Sequence, residues 1–324
     1  MTKMQYLKID GVGKPISRIL MGTASGPLLA GQDGDGLLTA AFEAGLSTID
    51  TARQYGQAEQ VVGRWLQRTG LRDKVTLLTK GAHHDVDTGK KRVTPADIRA
   101  DLAASLEALQ TGFVDIYLLH RDDPEVPVGP IVEVLNELHA QGKIGAFGGS
   151  NWTHQRLQAA NDYAAAHGLV PFTFSSPYFG LADEATDPWG GGVSIAGPGN
   201  RAAQQWYTQH QMPVIAYSSL GRGLFSGKVK GGDPDSAAKG MDEFALKGYA
   251  SPDNFERLRR AEKLAAEKGA SVPQVALAWL FAQPMPTFSI LGTTNPARFA
   301  ENIGALNVRL TPQEMEWLDL RNDI

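Results

Sequence analysis

The sequence contains no cysteine among its 324 residues, which excludes disulfide bridges, thiolate-bound metals and a cysteine nucleophile. Any redox chemistry would therefore need a bound cofactor. An excess of charge of one sign is also missing. Thirty-one lysines and arginines face 35 acidic residues, for a formal net charge of −4, so nothing marks a surface for nucleic acid or an anionic membrane. No stretch approaches the roughly 18 consecutive apolar residues of a membrane span, and residues 1–11 lack the apolar run of a secretion signal. The expectation is a soluble, cytoplasmic protein with a small-molecule partner, no nucleic-acid or membrane partner, and an oligomeric state the sequence does not give.

With 42% hydrophobic residues, the chain can bury one large core, and a single domain over residues 1–324 is expected. Short apolar runs at 75–79, 113–119, 144–147, 171–174 and 213–217 read as buried strands. Between them, Ile98, Leu102, Leu106 and Leu109, and then Ile131, Val134, Leu135 and Leu138, recur at helical spacing. Thr94-Pro95 supplies a capping hydroxyl and a first-turn proline, and Gly112 and Gly142 follow helical ends. Repeated alternation of strand and helix predicts a parallel α/β sheet. An open dinucleotide-binding sheet would place Gly-x-Gly-x-x-Gly after the first strand, where Met21-Gly22-Thr23-Ala24-Ser25-Gly26 stands instead. The reading is thus a (β/α)8 TIM barrel, with long loops at 179–200 and 221–251 after strands 6 and 7.

Three ionisable residues fall at the carboxyl ends of consecutive strands: Asp50, Lys80 and His120. Barrel enzymes gather their chemistry on that face, and Tyr55, five residues beyond Asp50, reaches the same space. A lysine ammonium beside a tyrosine favours ionisation of the phenol and makes it a usable acid. Asp50 can keep Lys80 charged and oriented, and His120 can donate a hydrogen bond to an oxygen on which negative charge develops. These are the parts of an acid for carbonyl reduction.

Asp50-Thr51-Ala52-Arg53-Gln54-Tyr55-Gly56, followed by Lys80 and His120, closely resembles the aldo-keto reductase superfamily. The resemblance runs through nearly the whole chain. It implies a nicotinamide cofactor, NADP(H) in preference to NAD(H), and a small carbonyl or alcohol substrate. Gly148-Gly149-Ser150-Asn151-Trp152 is similar to the family segment whose Ser and Asn hold the nicotinamide carboxamide, a role that passes to Ser150 and Asn151. Ser175 stands where the family commonly supplies a glutamine to the same group. The segment 216–224 resembles the loop in which a tyrosine, here Tyr217, stacks on nicotinamide while the backbone around Ser218, Leu220, Gly221 and Gly223 meets the pyrophosphate. The segment 292–302 resembles the one that holds adenine and the 2′-phosphate, which carries over Gly292, Thr293, Arg298, Glu301 and Asn302; many members have a lysine at the position of Gly292.

Other motifs lead elsewhere. The glycines and lysine of 221–228 do not fit a phosphate loop, because Arg222 and Val229 occupy required Gly and Ser/Thr positions. His83-His84-Asp85 invites a metal, yet neighbours along an extended chain point to opposite sides, so none is expected. Trp152 and, in the glycine-rich loop, Trp189 are the candidates for lining a substrate pocket, while Trp279 belongs to an all-round apolar helix and should be core. Two other functions compete: a cofactor-sensing binding subunit on the same barrel, and a metal-dependent barrel hydrolase, for which only His120 sits at a strand end.

Overall fold

A computed structural model describes residues 3–188 and 190–322. Within Gln5–Ser176 the chain alternates strand and helix. Strands β1 (Ile19–Gly22), β2 (Thr48–Asp50), β3 (Thr76–Gly81), β4 (Val114–Leu119), β5 (Ile144–Ser150) and β6 (Phe174–Ser176) pair in that order. All these pairings are parallel, with Met21 opposite Ile49, Ile49 opposite Leu77, Leu78 opposite Ile116, and Ser150 opposite Ser176. Helices Asp35–Glu43, Ala58–Thr69, Pro95–Ala108, Val128–Ala140 and His154–His167 make the returns. Every residue of β3, β4 and β5 is buried, as expected for parallel strands covered on both faces. A short antiparallel hairpin, Tyr6–Leu7 with Ile16–Ser17, precedes β1.

This stretch, with Ile290–Pro296, forms one compact unit; a second is built mainly from Pro177–Ser289 and the residues from Ala297 onward. In the second, β7 (Val214–Ala216) pairs in parallel with the first half of β8 (Thr287–Gly292), Val214 opposite Thr287. The eight strands close into a barrel in the order β8-β1-β2-β3-β4-β5-β6-β7, the (β/α)8 architecture expected from the sequence. The loop at 221–251 is less irregular than its length suggests, since it holds helices Ala237–Gly240 and Glu243–Tyr249. Thr94 caps its helix as expected, accepting a hydrogen bond from the Asp97 amide at 3.2 Å, and Trp279 is buried in helix Val272–Phe281. Among the described residues, no helix is long and apolar enough to cross a membrane.

The apolar run at 171–174 misplaces β6, which begins only at Phe174. Pro171 has no amide to donate, and the Phe172 backbone is taken by a side chain: its N–H donates to Asn161 Oδ1 at 2.8 Å and its carbonyl accepts from Asn161 Nδ2 at 3.3 Å. The ladder starts where Gly148 of β5 lies against Phe174. A Cβ on Gly148 would stand 1.9 Å from the Phe174 carbonyl oxygen, a backbone atom that cannot swing aside. Gly148→Ala should therefore cost about 3 kcal/mol, the upper end of ordinary overpacking, read as a lowered urea midpoint with the barrel's circular-dichroism spectrum retained.

Candidate active site

Backbone hydrogen bonds that continue the ladder just past the strands fix four side chains at one end of β2, β3 and β4. The Thr51 amide donates to Leu78 O (3.0 Å), the Arg53 amide to Lys80 O (2.8 Å) and the His120 amide to Gly81 O (2.7 Å). Lys80 and Asp50, each only 2% exposed, form an ion pair, and Lys80 Nζ also donates to Thr51 O at 3.1 Å. The ammonium lies 5.1 Å from the centre of the Tyr55 ring. Tyr55 in turn meets His120 edge to face, ring centres 5.5 Å apart. The four residues expected to act together are therefore brought together.

Tyr55 is set by the turn between β2 and helix Ala58–Thr69, and that helix is tied to β3 from inside. Glu59, in its first turn and 2% exposed, accepts a 2.6 Å hydrogen bond from Thr79 Oγ1, immediately before Lys80. The sequence reading missed Glu59. The signal was a carboxylate on the otherwise apolar face of Ala58, Val61, Val62 and Leu66, where an acid needs a partner.

Charge state follows from burial. Burial pulls Lys80 down, but Asp50 and Tyr55 outweigh it and hold the ammonium above its ordinary value. For Tyr55, burial pushes the phenol up and the nearby ammonium only partly offsets it, so the hydroxyl keeps its proton at neutral pH. The expectation that Lys80 would dominate is thus half of the balance. His120 is driven well below the usual histidine range by burial and then by Lys80 and His83, so its ring is neutral.

The strand ends carry unspent polar capacity. Among the described residues, His120 Nδ1, Thr23 Oγ1 and Thr51 Oγ1 are buried without a hydrogen-bond partner, and such atoms call for a polar ligand. Ser150 Oγ donates to Ser176 O at 2.9 Å, and Asn151 Nδ2 donates to His120 O at 3.2 Å. Asn151 takes the left-handed conformation (φ 58°), which turns its amide back beside His120. Ser175 is fully buried. These donors and acceptors fit a carboxamide and a ribose. Thr23 and Thr51, inside motifs read for other residues, join the candidate cofactor set.

In the second unit, Tyr217 follows β7 and packs at 6.1 Å from Tyr178. Ser218, Gly221, Arg222 and Gly223 all have positive φ; such a run turns successive amides into a concavity suited to an anion. The Arg222 guanidinium is held by Asp242, Nη2 to Oδ2 at 2.7 Å, and the Gly221 and Gly223 amides close the turn on Ser218 O and Leu220 O at 2.8 and 3.3 Å. Helix Pro296–Ile303 carries Arg298 and Glu301 on its exposed side and Asn302 buried. Arg298 has no ion-pair or hydrogen-bond partner among the described residues, the state of a guanidinium open to a phosphate. Gly292 is exposed at the end of β8, and Thr293 Oγ1 accepts from the Asn295 amide at 3.1 Å.

The two tryptophan expectations fare differently. Trp152 is fully buried, its Nε1 donates to Arg121 O at 3.1 Å, and it lies against Phe172 and the Arg156 guanidinium. No face of this indole is open to a ligand, which corrects its assignment to a pocket wall. Trp189 lies outside the described residues. His83 and His84 also depart from expectation: their rings meet at 4.2 Å, immediately after left-handed Ala82 (φ 59°). Among the described residues, no three His, Asp or Glu side chains gather as metal ligands.

A family model described as the aldo/keto reductase family matches residues 32–322, and the chain belongs to that family. It is 30% identical over 282 residues to the aldo-keto reductase str7 of Strobilurus tenacellus, covering 86% of this chain and 78% of that one. It is 29% identical over 310 residues to the aldo-keto reductase YhdN of Bacillus subtilis, covering 91% and 86%. A putative voltage-gated potassium channel subunit beta of Schizosaccharomyces pombe is 26% identical over 304 residues, with 87% and 82% covered.

The long loop after β6 is pinned to the one after β7 rather than hanging free. The Ala185 amide donates to Gly248 O at 2.9 Å, Asn254, fully buried, holds both backbone groups of Asp183, and the Tyr249 hydroxyl donates to Glu184 at 3.1 Å. Burial lifts Glu184 to about 7, with Asp187 and Asp183 adding to the rise and the Tyr249 hydrogen bond opposing it. The folded protein therefore binds this proton more tightly than the unfolded chain. The resulting stabilisation is complete below the ordinary glutamate range and is lost as pH rises through about 7. Glu184→Gln should flatten that decline, measured as the difference in urea midpoint between mildly acid and mildly alkaline buffer.

Proposed function

We propose that the protein is an NADP(H)-dependent oxidoreductase that reversibly reduces an aldehyde, ketone or sugar carbonyl to an alcohol. The observation that carries this reading is the buried Lys80–Asp50 pair beside a protonated Tyr55 and a neutral His120. A bound nicotinamide would supply hydride to the carbonyl carbon. Tyr55 donates its proton to the carbonyl oxygen, the Lys80 ammonium stabilises the phenolate left behind, and Asp50 keeps that ammonium charged and aimed. His120, with one ring N–H, donates a hydrogen bond to the same oxygen and so positions it. Ser150, Asn151 and Ser175, with Thr23 and Thr51, would hold the nicotinamide riboside. Tyr217 would stack on it, the 218–223 backbone would meet the pyrophosphate, and Gly292, Thr293, Arg298, Glu301 and Asn302 would meet the adenosine 2′-phosphate.

A cofactor-sensing subunit is the second reading, favoured by the channel-subunit relative; it requires cofactor binding without useful turnover. Tyr55→Phe separates the two, since it removes only the transferable proton. Turnover of a carbonyl substrate should fall by about 10²–10⁴-fold while NADPH still binds; near-native turnover would overturn the acid assignment. For the cofactor, a bidentate guanidinium from Arg298 should make NADPH bind more tightly than NADH by about tenfold or more at low salt. Equal dissociation constants by fluorescence titration would remove the preference.

A further inference from the structure

The acid and its partners leave one polar side chain beside them unassigned. His83 stands edge to face against His120, ring centres 4.8 Å apart, on the ring that Tyr55 itself touches. It arrives there by an uncommon backbone. Ala82 is left-handed (φ 59°) and fully buried, a conformation that costs a non-glycine residue roughly 1–2 kcal/mol. It is held by a 2.8 Å hydrogen bond from its amide to Asp101 Oδ2, and Asp101 is itself fixed by Arg92 at 2.7 Å. Strain that the surroundings impose so firmly points to a side chain that must be placed.

The hydrogen bonding of His83 defines what it offers. Nδ1 lies 2.8 Å from the His84 carbonyl, which can only accept, so Nδ1 carries the hydrogen. Burial, with His84 and Arg121 adding to it, holds the ring down to about 4 against the opposing pull of its backbone hydrogen bond and Asp101, and it is neutral at physiological pH. Nε2 is therefore a bare acceptor. It has no partner among the described residues and is not one of the atoms sealed from solvent. Tyr55 and His120 both serve the carbonyl oxygen as donors; the next group along the wall is an acceptor, and its complement on a substrate is a hydroxyl.

We propose that His83 is a specificity residue that accepts a hydrogen bond from a substrate hydroxyl on the carbon next to the carbonyl, and so selects hydroxyaldehydes and hydroxyketones over their unsubstituted counterparts. The inference rests on the carbonyl-reductase reading of the site. It is separable from that reading, because hydroxyl binding at His83 needs no turnover.

The test pairs kinetics with a spectroscopic probe. With NADPH, glyceraldehyde and propanal are compared as kcat/KM in the wild type, in His83→Phe, which keeps a ring but loses the acceptor, and in His83→Gln, which returns an acceptor oxygen at similar reach. The wild type should favour glyceraldehyde, His83→Phe should lower that preference by about tenfold, the worth of one good hydrogen bond, and His83→Gln should restore part of it. A preference unchanged in His83→Phe overturns the proposal. Independently, the 15N signal of His83 Nε2 in the wild-type protein is followed while glyceraldehyde, and then propanal, is titrated in with NADP⁺ present. An upfield movement with glyceraldehyde alone supports the acceptor role, and an identical response to both overturns it. If the wild type turns over neither aldehyde, the reductase reading fails while the nitrogen signal still decides His83.

Discussion

An ammonium withdrawn from water is tolerable only beside a compensating charge, and Lys80 has no surface through which to hydrate. Removing either partner of such a pair leaves an uncompensated buried charge worth about 3–5 kcal/mol. Much of the site's geometry follows from meeting this need. Asp50 and Lys80 must lie on one face of adjacent strands, and the parallel register of β2 on β3 provides this by setting Asp50 opposite Leu78, two residues before Lys80. Thr51 must turn its carbonyl inward to the ammonium, and the chain beyond it is then committed, through Arg53 on the Lys80 carbonyl, to the turn that delivers Tyr55.

The same enclosure decides which rings carry charge. A phenol held this close to an ammonium in water would ionise more readily; half-buried here, it keeps its proton because loss of hydration outweighs the attraction. His120, which shares the enclosure and feels the same ammonium, is pushed the other way and stays neutral. In the reaction proposed above, the tyrosine is thus the group with both a proton to give and a cation to stabilise what remains. In that reaction the neutral histidine serves as a directional donor. Burial holds both rings in their neutral forms, the phenol by raising it and the imidazole by lowering it, while the ammonium lowers both.

How much of this the sequence disclosed depends on where each residue takes its position from. Asp50, Lys80 and His120 end apolar strands, and a parallel barrel leaves the end of a strand nowhere else to be, so their convergence was legible from pattern alone. Strand β6 was not, because a side chain, Asn161, usurps the Phe172 backbone and no local pattern announces it. Trp152 reads as a candidate pocket wall, yet the Arg121 carbonyl satisfies its one polar atom inside the core. His83 and His84 were read as diverging, since a left-handed alanine is not something a sequence advertises. Buried Glu59 was overlooked because its partner, Thr79, comes not from its own helix but from β3, 20 residues away. Local pattern locates strand ends; what fails is any placement owed to a distant side chain.

That division has a physical consequence for how the site is organised. The four residues assigned to proton transfer hang from strand ends and the first turn beyond them, where neighbouring backbone hydrogen bonds fix each position and a small displacement would break the ladder. His83 hangs from a turn instead. Its place is set by Ala82, by one carboxylate contact from helix Pro95–Ala108 and by the arginine behind it. A turn held by side chains can be reset by changing those side chains while the ladder under Lys80 and His120 stays intact, because the last ladder bond, His120 N–H to Gly81 O, lies before the left-handed residue. Chemistry is therefore anchored in the part of the fold that cannot yield, and the group facing the rest of the substrate in a part that can.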